Sequence, residues 1–392
     1  MTKGSAFVPH DLAAPIKGGD GPLTGLTAVV KDMYDIAGEV TGGGNPTWLA
    51  THRPAARNAD AVARLLAAGA TLTGKTVCDE FFYSITGINV HYGAPVNPRS
   101  PGRIPGGSSS GSAAAVAGGA ADIGLGSDTG GSVRIPAALN GIYGIRPTTG
   151  RVSLGGAMAM AATFDTAGWF TAGPGLLRKL GGIMLQGVAV PATVTRLLIP
   201  DDVLGLAHQP VVEGFQRFFD RAAPSLPSAS NVTVAPHGFD QWRETFRTIQ
   251  AFETWAIYGA WLEGHDARLG PGTAERMAYA KTVSAQSTAA ARKVLDGLRT
   301  HIRDLVPAGT VLLMPTGPAL AVKVTASAEE LNEFRTRTMA FTCIAGLGGL
   351  PQVTLPAASA EGCAVGVSLV GWSGADETLL DLAVALSRHC GD

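Results

Sequence analysis

With 392 residues, 46% of them hydrophobic and only 16% charged, the chain has the material for a large buried core and excludes a disordered one. Thirty basic against 31 acidic residues leave a formal net charge of −1, so the basic field that a nucleic-acid backbone requires is missing. The length admits two or three domains or one large α/β domain.

The amino-terminal segment MTKGSAFVPHDLAAPIKGG lacks the apolar core of a signal peptide. Residues Leu26–Val30 predict a strand that ends at Lys31. A glycine-bearing loop follows, then a helix from Asn58 or Asp60 that sets Val62, Leu65 and Leu66 on one face and closes at Gly69. Ala70–Thr73 predicts the next strand. Gly69–Thr76, GATLTGKT, matches the phosphate-loop pattern GxxxxGK[ST] letter for letter. A phosphate loop follows a strand and opens a helix; here a helix precedes it and its variable positions fall in the strand.

Gly106–Pro147 begins as GGSSSGSAAAVAGG, the composition of a flexible linker. Ala113–Ala117 favour helix, however, and Ile123, Leu125, Val133, Ile135 and Leu139 supply apolar positions that a linker lacks. The expected order is loop 104–109, helix 110–119, strand 121–127, a glycine turn at 128–131, and a helix opened by Ser132. Residues 151–175 give no clear assignment. Beyond them come helix 174–187, strand 195–199, helix 210–222, strand 231–235 and two long helices over 239–265 and 273–306. The aromatic series Trp242, Phe246, Phe252, Trp255, Tyr258 and Trp261 on the first of these reads as core. Strand 310–314, helix 327–345, strands 352–356 and 363–371 and helix 375–388 complete the chain. The uncharged run Thr338–Ala360 is broken by GLGGLP and Pro356, which reads as helix, turn and strand rather than a membrane span.

Strand–helix alternation at both ends, without linker or repeat, predicts an α/β fold. The expectation is a single large domain over 1–392, with a central mixed β-sheet flanked by helices on both faces. Residues 24–170 and 310–388 would form its core and 175–306 a helix-rich insertion on the substrate side. Four cysteines, Cys78, Cys343, Cys363 and Cys390, lack cluster spacing, and the eight histidines form no HExxH pair. No metal and no other cofactor is expected. A cytoplasmic protein that contacts neither nucleic acid nor membrane is expected, with a homodimer left open.

Hydroxyls crowd the central stretch: Ser108, Ser109, Ser110, Ser112, Ser127, Thr129 and Ser132. A serine becomes a nucleophile when a neighbouring base takes its proton. No histidine lies between His91 and His208, which leaves Lys31 at its strand end as a candidate. Lysine is a base only when neutral, so its pKa must fall by about 3 units, roughly 4 kcal/mol of desolvation and neighbouring charge. The turn Asp128–Ser132 lets consecutive backbone N–H groups converge into a nest that holds a phosphate or an oxyanion. Asp128 and Arg134 are expected to pair across that turn and hold it. Gly107–Gly111 also fits the nucleophile elbow GxSxG with Ser109 at its centre, though the strand that elbow requires is replaced by PGRIP.

GGSSSGSA at 106–113, followed by GSDTGGSVRIPA at 126–137, resembles the signature of the amidase signature family of serine hydrolases. VVKDMYD at 29–35, GKTVCDEF at 74–81 and GLPQVTLP at 349–356 fit the same family. The resemblance implies the amidase signature fold and amide hydrolysis through a seryl acyl-enzyme, with a Ser–Ser–Lys catalytic set. Ser132 would be the nucleophile, Ser108 the bridging serine and Lys31 the base. It further implies a cis peptide bond between Gly107 and Ser108. Thr129, Gly130, Gly131 and the Ser132 N–H would form the oxyanion hole, with Ser109, Asp128 and Arg134 in support. The early Lys31, GGGNPTWLATH at 42–52 and DEFFYSITGINVHYGAPVNP at 79–98 look most like the compact subgroup typified by plant indole-3-acetamide amidase. That likeness implies a small, uncharged, aryl- or indolyl-bearing amide, cleaved to a carboxylate and ammonia or an amine. Phe82, Tyr83, Met158, Met160, Phe164 and Trp169 are candidate pocket walls, or equally plain core. Within the fold, the amidase component of a glutamine-dependent amidotransferase complex and a hydrolase of urea-like or carbamoyl amides are alternatives. A catalytically idle binding module is a third.

Overall fold

The computed structural model describes residues 6–391. β1 (Thr27–Lys31) runs through a loop and α1 (Pro46–Thr51) to α2 (Asp60–Ala67) and β2 (Thr71–Thr76). Next come α3 (Ser110–Ala117), β3 (Ile123–Asp128), α4 (Arg134–Asn140), β4 (Tyr143–Arg146) and β5 (Thr166–Thr171). α5 (Pro174–Met184), β6 (Arg196–Pro200), α6 (Asp201–Leu204), α7 (Gln209–Ala222) and β7 (Ala229–Val232) lead to the helical middle. That middle is α8 (Asp240–Gly264), α9 (Pro271–Thr282) and α10 (Ala285–Leu305). β8 (Thr310–Pro315), α11 (Ala328–Gly348), β9 (Gln352–Ala360), β10 (Cys363–Val370) and α12 (Asp376–Leu386) close the chain.

All ten strands join one sheet in the order β2-β1-β3-β5-β4-β9-β10-β8-β6-β7. Both margins are parallel, β2, β1 and β3 at one side and β8, β6 and β7 at the other, and the strands between pair antiparallel. Helices cover both faces, and β5 shows how. Trp169 turns its indole N–H to the Leu177 carbonyl of α5, whereas Phe170 packs with Ala113 and Val116 of α3 and Ala137 of α4. Successive residues of a strand point to opposite faces. The expected mixed sheet between two helical layers is therefore the observed architecture.

Three features differ from the sequence reading. β4 and β5, which lie in or beside the unassigned stretch, sit at the centre of the sheet. β6 and β7 extend the sheet to its far edge, so residues 175–306 are part insertion and part sheet. The expected helix 273–306 is two helices, because Ser284 accepts a hydrogen bond from the Ser287 N–H and caps a new start at α10. The phosphate-loop match is also resolved: Thr71–Thr76 is a strand, and the buried Lys75 Nζ lies 2.8 Å from Asp32 Oδ1 and donates to the Val40 carbonyl.

This topology positions the chemistry. β1 and β3 are adjacent and parallel, so Lys31 and Asp128 stand together at the carboxyl ends of neighbouring strands. Crevices outside the strand carboxyl ends are where open α/β sheets bind ligands. α3 starts at Ser110, immediately after the serine loop, and α4 starts at Arg134, immediately after the glycine turn. The Ser109 N–H donates to the Ser132 carbonyl at 3.3 Å and ties the two loops together.

Candidate active site

Lys31 is completely buried, and its Nζ donates to Ser108 Oγ and to Ser127 Oγ, each at 2.8 Å. The Phe82 ring lies 4.8 Å from the same nitrogen. Burial pulls the Lys31 pKa down to about 8, and the neighbouring acids Asp79, Asp165 and Asp128 oppose only part of that drop. A lysine so placed has a substantial neutral fraction just above neutral pH, as a base requires.

Ser108 is fully buried, and the Gly107–Ser108 peptide is cis. Gly107 has no room for a side chain, since a Cβ there would lie 2.4 Å from Asp79 Oδ2 and 2.6 Å from the Gly87 nitrogen. The Asp79 carboxyl, raised to about 6 by burial, accepts from the Gly87 N–H at 3.1 Å. Ser132 differs from Ser108 in its access. It is 6% exposed, lines a small cavity, and its Oγ has no hydrogen-bond partner among the described residues. The buried pair Lys31–Ser108 thus lies behind a serine that opens onto free space.

The turn that carries Ser132 is built around one carboxylate. Asp128 Oδ1 accepts from the Gly131 N–H (2.9 Å), and Oδ2 accepts from the Val133 (3.0 Å) and Arg134 (3.2 Å) N–H groups. Arg134 forks onto both oxygens, with Nε to Oδ2 at 2.9 Å and Nη2 to Oδ1 at 2.7 Å. Arg146 adds Nη1 to Oδ1 at 3.0 Å and also donates to the Asp128, Thr129 and Phe164 carbonyls. Burial alone would raise the Asp128 carboxyl, but the two guanidinium groups hold it well below the usual range. The expected Asp128–Arg134 pair across the turn is present.

The candidate oxyanion-hole donors narrow to three. Gly131 adopts φ +121°, where a side chain is disfavoured and a Cβ would meet Thr342 at 2.8 Å, and its N–H is already given to Asp128. The Thr129, Gly130 and Ser132 N–H groups have no acceptor among the described residues. Thr129 is fixed by its hydroxyl, which donates to Asp165 Oδ1 at 2.5 Å. Asp165 also accepts from the Met160 and Ala161 N–H groups.

Of the candidate pocket walls, Phe82, Tyr83 and Met160 line the cavity at Ser132, together with Ile85, Gln250, Arg335 and Met339. The other three lie elsewhere. Trp169 is in the core beneath α5, Phe164 stacks on Phe246 at 4.4 Å, and Met158 packs against Gly43. Phe81 and Phe82 hold φ +47° and +61°, uncommon for aromatic residues, and this conformation turns Phe82 over Lys31. Ser109 does not fit the elbow reading: it is buried, its Oγ donates to the Ser127 carbonyl at 3.1 Å and accepts from the Ser127 N–H at 3.2 Å. The sequence reading counts Ser127 among the hydroxyls without a role and misses Arg146 and Asp165. An arginine inside the apolar strand GIR, and an acid before the buried strand TAGWFT, were the available signals.

A family model described as Amidase matches residues 9–173. Over 97% of both chains the sequence is 36% identical to Amidase 1 of Arabidopsis thaliana. The chain belongs to the amidase signature family. A crystal structure of an amidase superimposes on 95% of this chain and 86% of its own, with a TM-score of 0.85 and 30% identity. A glutamyl-tRNA(Gln) amidotransferase component of Halobacterium salinarum is 33% identical over 94% of this chain and 96% of its own. Family membership makes this amidase an amide-hydrolysing enzyme. No described helix is long and apolar enough to cross a membrane.

Lys31 acting as the base would also set the pH dependence. A base is active when deprotonated, so kcat/KM should rise about tenfold per pH unit below its pKa and level off above it. With that pKa at about 8, the plateau is expected above about pH 8. A profile flat from about pH 6 to 9, measured by ammonia release under a constant-ionic-strength buffer, would remove Lys31 from the role of base.

Proposed function

We propose that the enzyme hydrolyses a small primary amide through an acyl intermediate on Ser132. Neutral Lys31 takes the Ser108 proton while Ser108 takes that of Ser132, whose Oγ attacks the amide carbonyl carbon. The oxyanion is received by the free N–H groups of Thr129, Gly130 and Ser132. Collapse of the tetrahedral species breaks the C–N bond, and the same relay delivers the proton to the departing nitrogen. Water then attacks the ester under the same base and releases the carboxylic acid. The observation that carries this reading is the buried 2.8 Å contact of Lys31 Nζ with Ser108 Oγ beside an unpartnered, accessible Ser132. Phe82, Tyr83, Met160 and Met339 favour an aryl or alkyl group next to the reacting carbonyl.

A fluorophosphonate probe should label Ser132, read by peptide mass, and a screen of primary amides, anilides and ureas should show ammonia release from the primary amides. Label on another serine, or turnover of N-substituted amides alone, would overturn the proposal. The likeness to an amidotransferase component supports a second reading, in which the chain delivers ammonia to a partner. Turnover of simple amides by the isolated chain separates the two.

A further inference from the structure

The cavity at Ser132 adjoins a larger one of about 550 Å³, and Tyr83, Gln250, Arg335 and Met339 line both. The larger space contains four arginines, Arg243, Arg247, Arg276 and Arg335. Two of them are neutralised on their own helix, since Arg243 pairs with Asp240 and Arg247 with Glu244. The other two are not. Arg335, half-buried on α11, makes no hydrogen bond or ion pair among the described residues. Arg276, half-buried on α9, has its Nε shielded from water without a partner, and Nη2 reaches only Thr273 Oγ1 at 3.5 Å. Its guanidinium lies 5.6 Å from the centre of the Tyr83 ring, and Tyr83 also lines the Ser132 cavity. Glu275, exposed on the same helix and lining the same cavity, attracts both arginines but forms an ion pair with neither. Burial and the charge of Arg335 together push the Arg276 guanidinium down to about 10.

Two unpaired guanidinium groups that repel each other across a cavity make sense when an anion completes them. The planar N–H fork of arginine matches a carboxylate in two-point contact. We infer that Arg276 and Arg335 form a carboxylate-binding subsite, so that the preferred substrate is a primary amide whose acyl chain carries a carboxylate at its far end. This rests on the hydrolase reading and sharpens its substrate class. It also replaces the uncharged amide implied by the sequence resemblance, because a neutral acyl group would form an ion pair with neither guanidinium.

The test compares pairs of equal carbon number, the monoamides of glutaric and adipic acid against pentanamide and hexanamide, by ammonia release. The expected wild-type kcat/KM favours the anionic member about 10- to 100-fold, the scale of charged hydrogen bonds. Most of the difference should lie in KM, which for the anionic amides alone should rise with added salt. In R276Q and R335Q the anionic-to-neutral ratio should collapse toward one, and R335K should restore part of it. Glutarate should also slow fluorophosphonate labelling of the wild-type enzyme more than butyrate does, a readout that needs no variant to fold. Turnover of both amides without anionic preference, or a preference that survives both substitutions, overturns the subsite and leaves the hydrolase standing. Failure of every amide together with an unlabelled Ser132 removes the hydrolase reading itself.

Discussion

Ser132→Ala is expected to lower kcat/KM by about 10⁴- to 10⁶-fold and to abolish labelling by a fluorophosphonate, with no loss of folded structure. Removing a nucleophile that acts as a unit with its base costs on this scale. Ser132 donates no side-chain hydrogen bond that the fold uses, so its hydroxyl is dispensable for stability. Ser108→Ala should cost about 10²- to 10⁴-fold, the range of general acid–base assistance. The geometry explains why the relay is needed. Lys31 contacts Ser108 and Ser127 at 2.8 Å and makes no hydrogen bond to Ser132, so a proton has to pass from Ser132 to the base through an intermediate hydroxyl, the place proposed for Ser108. Ser127→Ala keeps the Lys31–Ser108 contact and should lose far less. Ser109→Ala should affect stability more than chemistry, since its hydroxyl serves the β3 backbone. Rates for all four variants, normalised to folded protein by circular dichroism, decide the matter. Acylation lost in Ser109→Ala and kept in Ser132→Ala would transfer the nucleophile to the neighbouring loop.

The parts of this site that could be read in the sequence are those whose partners are close along the chain or fixed by a motif. Lys31 ends an apolar strand, Ser132 follows two glycines, and Asp128 and Arg134 lie within one turn. The serine loop read correctly against its linker-like composition because apolar residues resume directly after it. β4 and β5 could not be read in that way. Tyr143–Arg146 has four residues and Thr166–Thr171 sets two small residues before two large ones, so neither shows a clear period. Only the sheet brings Arg146 to Asp128, and the cavity walls Gln250, Arg335 and Met339 come from α8 and α11, more than a hundred residues downstream of Ser132. The break between α9 and α10 did have a local signal, Ser284 as a cap, but no glycine or proline marks it. Unpaired charge is likewise invisible in a sequence: Arg276 and Arg335 differ from Arg243 and Arg247 only in what surrounds them once the chain is folded.

Asp128→Ala is expected to destabilise the enzyme by about 3–5 kcal/mol, the usual cost of removing one partner from a buried ion pair. The carboxylate satisfies Arg134 and Arg146, both fully buried, and three backbone N–H groups of the turn. Deleting it leaves two adjacent buried guanidinium groups without their ion-pair partner, with Asp165 still attracting Arg146. Asp128→Asn preserves the shape but presents an amide NH₂ to donors, so it should recover only part of the loss. Arg134→Met should cost less than Asp128→Ala, because Arg146 still neutralises the carboxylate. The effect on chemistry follows from the same bonds. With the Gly131 and Val133 N–H groups released, Ser132 and the donors beside it lose their fixed geometry, and kcat should fall more than KM in whatever protein remains folded. Since Asp128 is held ionised far below neutral pH, none of this depends on pH where the enzyme works, whereas the Lys31 limb does. Denaturant unfolding and steady-state kinetics on Asp128→Asn decide the point. An Asp128→Asn enzyme that unfolds at the wild-type midpoint and keeps its kcat would mean that packing alone holds the turn.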